Sequence, residues 1–353
     1  MMIQRYTWKT RKIEYPATDA VTIHFDTNGQ AFDYLPGQYV NVYITINGKI
    51  EQRSYSLCSS PYLNEAPAIT VKRVEGGLVS NYLADHAHEI KEWEIEGPLG
   101  IFTADASCFE KEQILLIGGG SGITPLFSIA KSLLHRSAAK VSVVYASRIQ
   151  ENTLFFGELS ALEAAFPERL QVYYAFSRHD QDREADCRLY INERLNRLLL
   201  RKMIRSMAGE EMQQAEWFVC GPEGLITLAE AVAEALEIPA QQLRKEYFNP
   251  TAAVQEIQLP DISNEVLLHF LERSNLLEVS PGKSILDTAL EEGIPMFYSC
   301  KNGTCGRCAG KLLCGKVHMK ANYALREELL QEGYILLCQS FPLDNEVTVA
   351  VDD

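Results

Sequence analysis

Cys300-Lys301-Asn302-Gly303-Thr304-Cys305-Gly306-Arg307-Cys308 holds three cysteines in one short loop, and Cys338 follows far downstream in Ile335-Leu336-Leu337-Cys338-Gln339-Ser340. The C-x4-C-x2-C…C spacing is that of four thiolates around a [2Fe–2S] cluster. Two irons and two sulfides draw the thiolates close together, so the loop must wrap tightly, and Gly303 and Gly306 supply backbone angles that other residues resist. Their amides are also placed to donate hydrogen bonds to the sulfurs, which tunes the potential. A structural zinc site takes four thiolates too, but its cysteines usually come as two closely spaced pairs. Cys314 is the rival fourth ligand, and the strand-like context of Cys338 favours the remote one. Cys58, Cys108 and Cys187 read as small, partly buried thiols.

Outward from this loop the chain divides by pattern. Residues 263–353 open with a hairpin-like pair, Val266 to Leu271 and Leu276 to Val279, then a helix from Ser284 whose Asp287 completes a capping box. A polar stretch over 249–262 without clear periodicity reads as a linker. Upstream, over 108–248, strands alternate with glycine loops and helices: Gln113 to Ile117, Val141 to Tyr145 and Trp217 to Cys220 are strand candidates, which predicts a parallel α/β layer. Over 1–107, short β-rich runs (Ala20 to Phe25, Tyr39 to Ile44, Ala68 to Lys72) alternate with Pro36-Gly37, Asn47-Gly48 and Gly76-Gly77. That predicts a small antiparallel barrel with a helix at Val79 to His86.

A length of 353 residues suits about two or three such domains. The net charge of −14 disfavours a nucleic-acid binder, whose affinity needs Lys and Arg to displace counterions, and favours steering of a positively charged partner. The N-terminal residues lack the apolar run of a secretory signal, and no apolar stretch approaches the roughly 20 residues of a membrane helix. Nine cysteines, four of them in the cluster pattern, suggest ligation in a reducing compartment, so the cytoplasm is expected and membrane insertion is not.

Two further motifs concern nucleotides. Arg53-Ser54-Tyr55-Ser56 starts a β-like run in which alternation places Arg53 and Tyr55 on one face and Ser54 and Ser56 on the other. A guanidinium suits a pyrophosphate and a tyrosine ring suits an isoalloxazine face, although an ordinary surface strand reads the same way. Gly118-Gly119-Gly120-Ser121-Gly122-Ile123-Thr124-Pro125 lies between an apolar strand and a helix with proline in its first turn, so backbone amides can approach a phosphate. It is not the G-x-G-x-x-G fingerprint, because position 123 is isoleucine.

These motifs, with Cys220-Gly221-Pro222 in the same order, resemble the ferredoxin–NADP reductase superfamily. With the C-terminal ferredoxin module the whole chain resembles the phenylacetyl-CoA oxygenase reductase type. The resemblance implies a FAD-binding β-barrel, an NAD(P)-binding α/β domain and an α+β, β-grasp ferredoxin domain. It implies that Arg53 holds the FAD pyrophosphate, Tyr55 stacks on the isoalloxazine, Ser56 bonds near its N5, and Gly77 and Ser80 form a second FAD element. Gly120 and Thr124 meet the nicotinamide nucleotide, Cys220, Gly221 and Pro222 lie near the nicotinamide, and Glu246-Tyr247-Phe248 matches the E-x-F ending that places Phe248 beside the flavin. Ser177, Arg178, Arg188 and Tyr190 look like the branch that holds a 2′-phosphate, which points to NADPH. The same segment also reads as an exposed charged loop whose carboxylates repel phosphate, which leaves NADH as the alternative. Lys91-Glu92-Trp93-Glu94 departs from the Gly-Asp that the family often carries before Gly97-Pro98-Leu99-Gly100.

Hydride carries two electrons and a cluster accepts one, so a flavin must stand between them; the cofactors perform the chemistry and no acid–base residue is assigned. The expected activity is transfer of electrons from NADPH through FAD and [2Fe–2S] to an acceptor protein, an oxygenase or hydroxylase component. A desaturase or a hybrid-cluster protein is an alternative acceptor. A redox-sensing regulator is the alternative from another class.

Overall fold

The computed structural model describes residues 4–178, 190–191, 194–208, 213–248, 260–325 and 327–351. Two compact units result, Ile3–Phe248 and Asn249–Asp353.

The first unit begins with β1 (Gln4–Ala17), β2 (Ala20–Asp26), β3 (Tyr39–Ile46), β4 (Lys49–Ser56), β5 (Ala68–Lys72), α1 (Leu78–His86) and β6 (Glu92–Leu99). The strands form one antiparallel sheet in the order β4-β3-β6-β1-β2-β5. It curls because a single bridge, Leu57 to Ile69, joins its two edges. Alternation makes the core: along β6 Trp93, Ile95, Gly97 and Leu99 are buried between more exposed neighbours. Inside, Trp8 meets Phe32 edge-on at 4.7 Å and Phe25 meets Trp93 at 5.7 Å. Each such ring contributes about 1.5–3 kcal/mol through burial.

The same unit continues with β7 (Gln113–Gly119), α2 (Ile123–Arg136), β8 (Lys140–Ser147), α3 (Phe156–Ala165), β9 (Leu170–Phe176), β10 (Tyr190–Ile191), α4 (Arg197–Ala208), β11 (Glu216–Gly221), α5 (Glu223–Ala235) and β12 (Leu243–Tyr247). All six strands are parallel, in the order β10-β9-β8-β7-β11-β12. β7 and β11 are buried nearly throughout, as strands with both faces covered must be. One core runs from the barrel into this layer: Phe102 packs edge-on against Phe218 at 5.5 Å, and Ser128 Oγ donates to the Ser59 carbonyl at 2.5 Å.

The second unit contains β13 (Asn264–Phe270), β14 (Arg273–Val279), α6 (Ile285–Glu291), β15 (Ala309–Cys314), β16 (Val317–Met319), α7 (Glu327–Gln331), β17 (Tyr334–Leu336), β18 (Ser340–Pro342) and β19 (Val347–Val351). Its main sheet, β14-β13-β19-β15-β17, is mixed: β13 and β19 run parallel, the other pairs antiparallel. Helix α6 packs Ile285, Leu286 and Ala289 into the same core, which gives the β-grasp arrangement. The capping box forms as read: the Asp287 amide donates to Ser284 Oγ at 3.1 Å, and that hydroxyl donates to the Asp287 carboxylate at 2.8 Å.

Candidate functional site

The loop between α6 and β15 brings the four expected cysteines together. Gly303 and Gly306 have φ of +83° and +70°, the left-handed region that glycine enters freely. The thiols stand in two pairs, Cys300 with Cys305 and Cys308 with Cys338, each pair within hydrogen-bond reach. Cys300 is pushed down to about 5, chiefly because the Cys305 thiol donates to it, and Cys338 is pushed down by the Cys308 thiol in the same way. Cys305 and Cys308 are correspondingly pushed up. Backbone donors add to this: the Asn302 and Thr304 amides reach Cys300 Sγ at 3.4 and 3.3 Å, and the Gly303 amide reaches Cys338. Gln339 Nε2 donates to the Lys301 carbonyl at 2.9 Å and points at Cys338 Sγ from 3.7 Å. Among the described residues no three Cys, His, Asp or Glu side chains group about one point for a single ion. Two thiol pairs ringed by N–H donors fit two irons, each taking one pair. Cys314 is exposed, on the far end of β15.

In the parallel sheet, the functional residues gather where the strand order reverses, between β7 and β11. Gly118 pairs with Cys220, and Cys220 with Glu246, so three strands end side by side. A Cβ on Gly122 would lie 2.2 Å from the Cys220 carbonyl oxygen, and one on Gly221 would lie 2.9 Å from the Gly119 nitrogen. The two turns are therefore pressed together through their glycines. Gly120 has φ of +54° with open space beside it, and Thr124 Oγ1 donates to the Ser121 carbonyl at 2.9 Å. Helix α2 has neither a side-chain cap nor an acidic residue in its first turn; its Ile123 amide already donates to the Gly120 and Ser121 carbonyls, and the helix dipole at this end favours a phosphate. Pro222 starts α5 and its carbonyl accepts from the Leu225 amide at 2.8 Å. Phe248 is half-buried against the shared core.

In the barrel, Tyr55 is half-buried and its hydroxyl is pushed up by burial, while Ser56 is buried. The expected alternation holds, since β4 pairs with β3 without a register shift: Ser54 shares a face with Ser56, is exposed, and donates to Asn41 Oδ1 at 2.8 Å. Arg53 is exposed, and its Nη1 donates to Glu51 at 3.1 Å and to the Gln52 carbonyl at 2.7 Å. Gly77 precedes α1, and a Cβ there would lie 2.6 Å from Ser80 Oγ, which accepts from the Val74 amide at 3.2 Å. Helix α1, like α2, starts without side-chain cap or acid. Helices α3 and α5 also start without a side-chain cap but carry Glu158 and Glu223 in their first turns, so of these four starts α1 and α2 are the two that fit the phosphate-bearing nucleotides the fold implies.

Ser177 and Arg178 extend β9, with their amides donating to the Ser147 and Arg148 carbonyls at 3.0 Å. Arg188 lies outside the described residues, as does the side chain of Tyr190, whose backbone pairs with Tyr174.

Two residues escaped the sequence reading, and a third, Glu246, was named there without its environment. Tyr145 OH donates to the Gly120 carbonyl at 3.0 Å and so holds the glycine turn. Arg148 stands exposed at the end of β8, beside Arg178 in strand order. Glu246 is pushed up to about 8 by burial, and the buried Cys220 thiol, itself pushed up, faces its carboxylate at 3.8 Å. Burial favours the protonated form of both groups. Only its E-x-F setting marked Glu246 in the sequence.

Comparison with known proteins agrees with this geometry. Three family models match in order: an oxidoreductase FAD-binding domain over 9–103, an oxidoreductase NAD-binding domain over 116–231, and a 2Fe-2S iron-sulfur cluster binding domain over 270–343. The chain is 31% identical to a component of the 1,2-phenylacetyl-CoA epoxidase of Escherichia coli (strain K12), over 97% of this chain and 96% of that protein. It is 34% identical to the ferredoxin reductase component of 3-ketosteroid-9-alpha-monooxygenase of Mycobacterium tuberculosis, over 91% and 86%. Among solved structures, phthalate dioxygenase reductase shares the fold with a TM-score of 0.62, at 21% identity and covering 98% of both chains. The chain belongs to the oxygenase-reductase family of the ferredoxin–NADP reductase superfamily, oxidoreductases with FAD-, NAD- and [2Fe–2S]-binding domains on one polypeptide.

Proposed function

We propose that this chain takes hydride from NADPH and delivers electrons one at a time to the oxygenase or hydroxylase component of a multi-component enzyme. The observation that carries the reading is the coexistence of four paired thiols with glycine turns, Cys220 and Glu246 gathered at one sheet switch point. FAD supplies the conversion from a two-electron donor to a one-electron acceptor, and the protein's work is to bind and orient. Arg53, with Gly77 and Ser80 at the start of α1, holds the FAD pyrophosphate. Tyr55 would cover the isoalloxazine face, Ser56 would bond near N5, and Phe248 would lie beside the flavin. Gly120 and Thr124 receive the nicotinamide nucleotide, and Cys220, Gly221 and Pro222 bound its ring. Cys220 and Glu246, in the protonated form that burial favours, leave no fixed anion to repel an incoming hydride.

Ser177, Arg178, Arg188 and Tyr190 hold the 2′-phosphate. Arg148, on the adjacent strand end, adds a third guanidinium to that rim and supports NADPH over NADH. Functional boundaries fall at 107/108 and 248, with 249–262 as the connection to the cluster domain, and the protein works in the cytoplasm. In the described residues no helix is long and apolar enough to cross a membrane.

Anaerobic mixing of the holoenzyme with NADPH or NADH tests this. NADPH should bleach the flavin band first and the cluster band second, and faster than NADH does. Equal rates would overturn the nucleotide assignment, and protein without either chromophore would overturn the whole reading.

A further inference from the structure

A chain with 47 acidic residues in 353 would place about four in a stretch as long as 293–325, yet that stretch has none. It carries five cations instead: Lys301, Arg307, Lys311, Lys316 and Lys320. The four lysines are exposed, and Lys301 reaches back to Asp287 at 2.9 Å.

Lys301 and Arg307 belong to the cluster loop and Lys320 to the chain folded against it, whereas Lys311 lies along β15 and Lys316 in the turn beyond its far end, where its carbonyl accepts from the Leu343 amide. The Lys320 amide donates to the Gln339 carbonyl at 2.8 Å, and Gln339 in turn holds Lys301 and faces the Cys338 sulfur. The Tyr323 amide donates to the Gly303 carbonyl at 3.0 Å, which seats 320–323 on the loop itself. The cluster loop and the segment seated on it thus carry three cations, Lys301, Arg307 and Lys320, and no acidic residue of their own, on a molecule whose net charge is −14.

We propose that this face docks an acidic patch on the electron-accepting protein, a proposal that rests on the electron-transfer reading above. Local charge within a Debye length, about 10 Å at 0.1 M salt, governs the final approach of a partner more than distant net charge does. The expectation of a positively charged partner, drawn from net charge alone, is reversed at the point where electrons leave. The chain's own flavin-bearing unit is the rival occupant. It is tethered and already at high effective concentration, whereas a separate acceptor gains from steering.

The test uses photoreduced holoenzyme, so that loading of the cluster does not depend on the nicotinamide step. Two haem proteins serve as one-electron acceptors: acidic cytochrome b5 and basic cytochrome c, each reduced from Fe(III) to Fe(II) as the cluster loses one electron. At low salt cytochrome b5 should be reduced roughly 10-fold faster, and the gap should close by about 0.5 M salt. Lys301→Gln with Lys320→Glu should lower the cytochrome b5 rate several-fold. Faster reduction of cytochrome c at low salt, the order that net charge dictates, would overturn the proposal. So would a double variant that slows flavin-to-cluster transfer while cytochrome b5 reduction keeps its salt dependence, because the face would then serve the chain's own flavin unit.

Discussion

Gly303 and Gly306 in the cluster loop sit at φ of +83° and +70°, whereas Gly119 and Gly122 in the nucleotide turn sit at −134° and −63°. The first pair is glycine because of backbone handedness, the second because of space: a Cβ on Gly119 would lie 2.7 Å from Leu225, and one on Gly122 2.2 Å from the Cys220 carbonyl oxygen. The cluster site is made by one loop and a single remote 3-10 turn, Leu337–Gln339, where the sequence had suggested a strand. The nucleotide site exists only after β7, β11 and β12 have been brought side by side.

If the two sites are independent, Cys305→Ser should abolish the cluster and leave flavin reduction by NADPH at its normal rate, since the hydride step does not pass through iron. This is the largest effect expected, a complete loss of the reddish-brown chromophore with the yellow one kept. Loss of flavin reduction as well would show that the cluster unit supports the reductase unit, and the comparison would break. Gly122→Ala is the counterpart. Its Cβ meets backbone and not a flexible side chain, so the two turns must part, at a cost of about 1–3 kcal/mol or more by overpacking. Thermal melts should fall and NADPH reduction should be lost, with cluster absorbance retained.

That asymmetry also explains what could be read from the residues alone. The four cluster cysteines were legible because their spacing is itself the ligand geometry. The barrel and the parallel layer were legible because β-rich runs and apolar strands announce their periods. Tyr145 was not, because its only mark is a hydroxyl that finds the Gly120 carbonyl once β8 lies beside β7. Nor was Arg148, whose neighbour Arg178 lies thirty positions away and meets it through strand register. Ser54 keeps the face that alternation gives it, but its partner Asn41 was not legible, because the two meet only through the register of β3 with β4.

Glu246 sharpens the comparison through pH. In the protein stripped of flavin its carboxyl is pushed from 4.5 to about 8 by burial. The unfolded chain then binds fewer protons than the folded one across that interval. Stability associated with this group is fully present below 4.5 and falls as pH rises towards 8, by at most about 1.4 kcal/mol per pH unit. Melting of flavin-free protein between about pH 5 and pH 9 should fall more steeply for wild type than for Glu246→Gln. Parallel curves would mean that the carboxyl is ionised in the fold. The cluster unit's own melt should show no difference between the two proteins.

Gly120→Ala should have the smallest effect on folding, and it separates handedness from crowding within a single turn. Its φ of +54° costs an L-residue about 1–2 kcal/mol, yet no atom lies within 4 Å of the added Cβ. The Tyr145 hydroxyl continues to hold the Gly120 carbonyl, which fixes the peptide whether or not a methyl is present. The melt should therefore move by only a few degrees. The methyl would project into the open space where the nucleotide is proposed to lie, so the KM for NADPH should rise while the rate at saturation stays within a few-fold. If Gly120→Ala instead unfolds the nucleotide layer as Gly122→Ala is expected to, space is scarce throughout the turn, and the distinction drawn between its glycines fails.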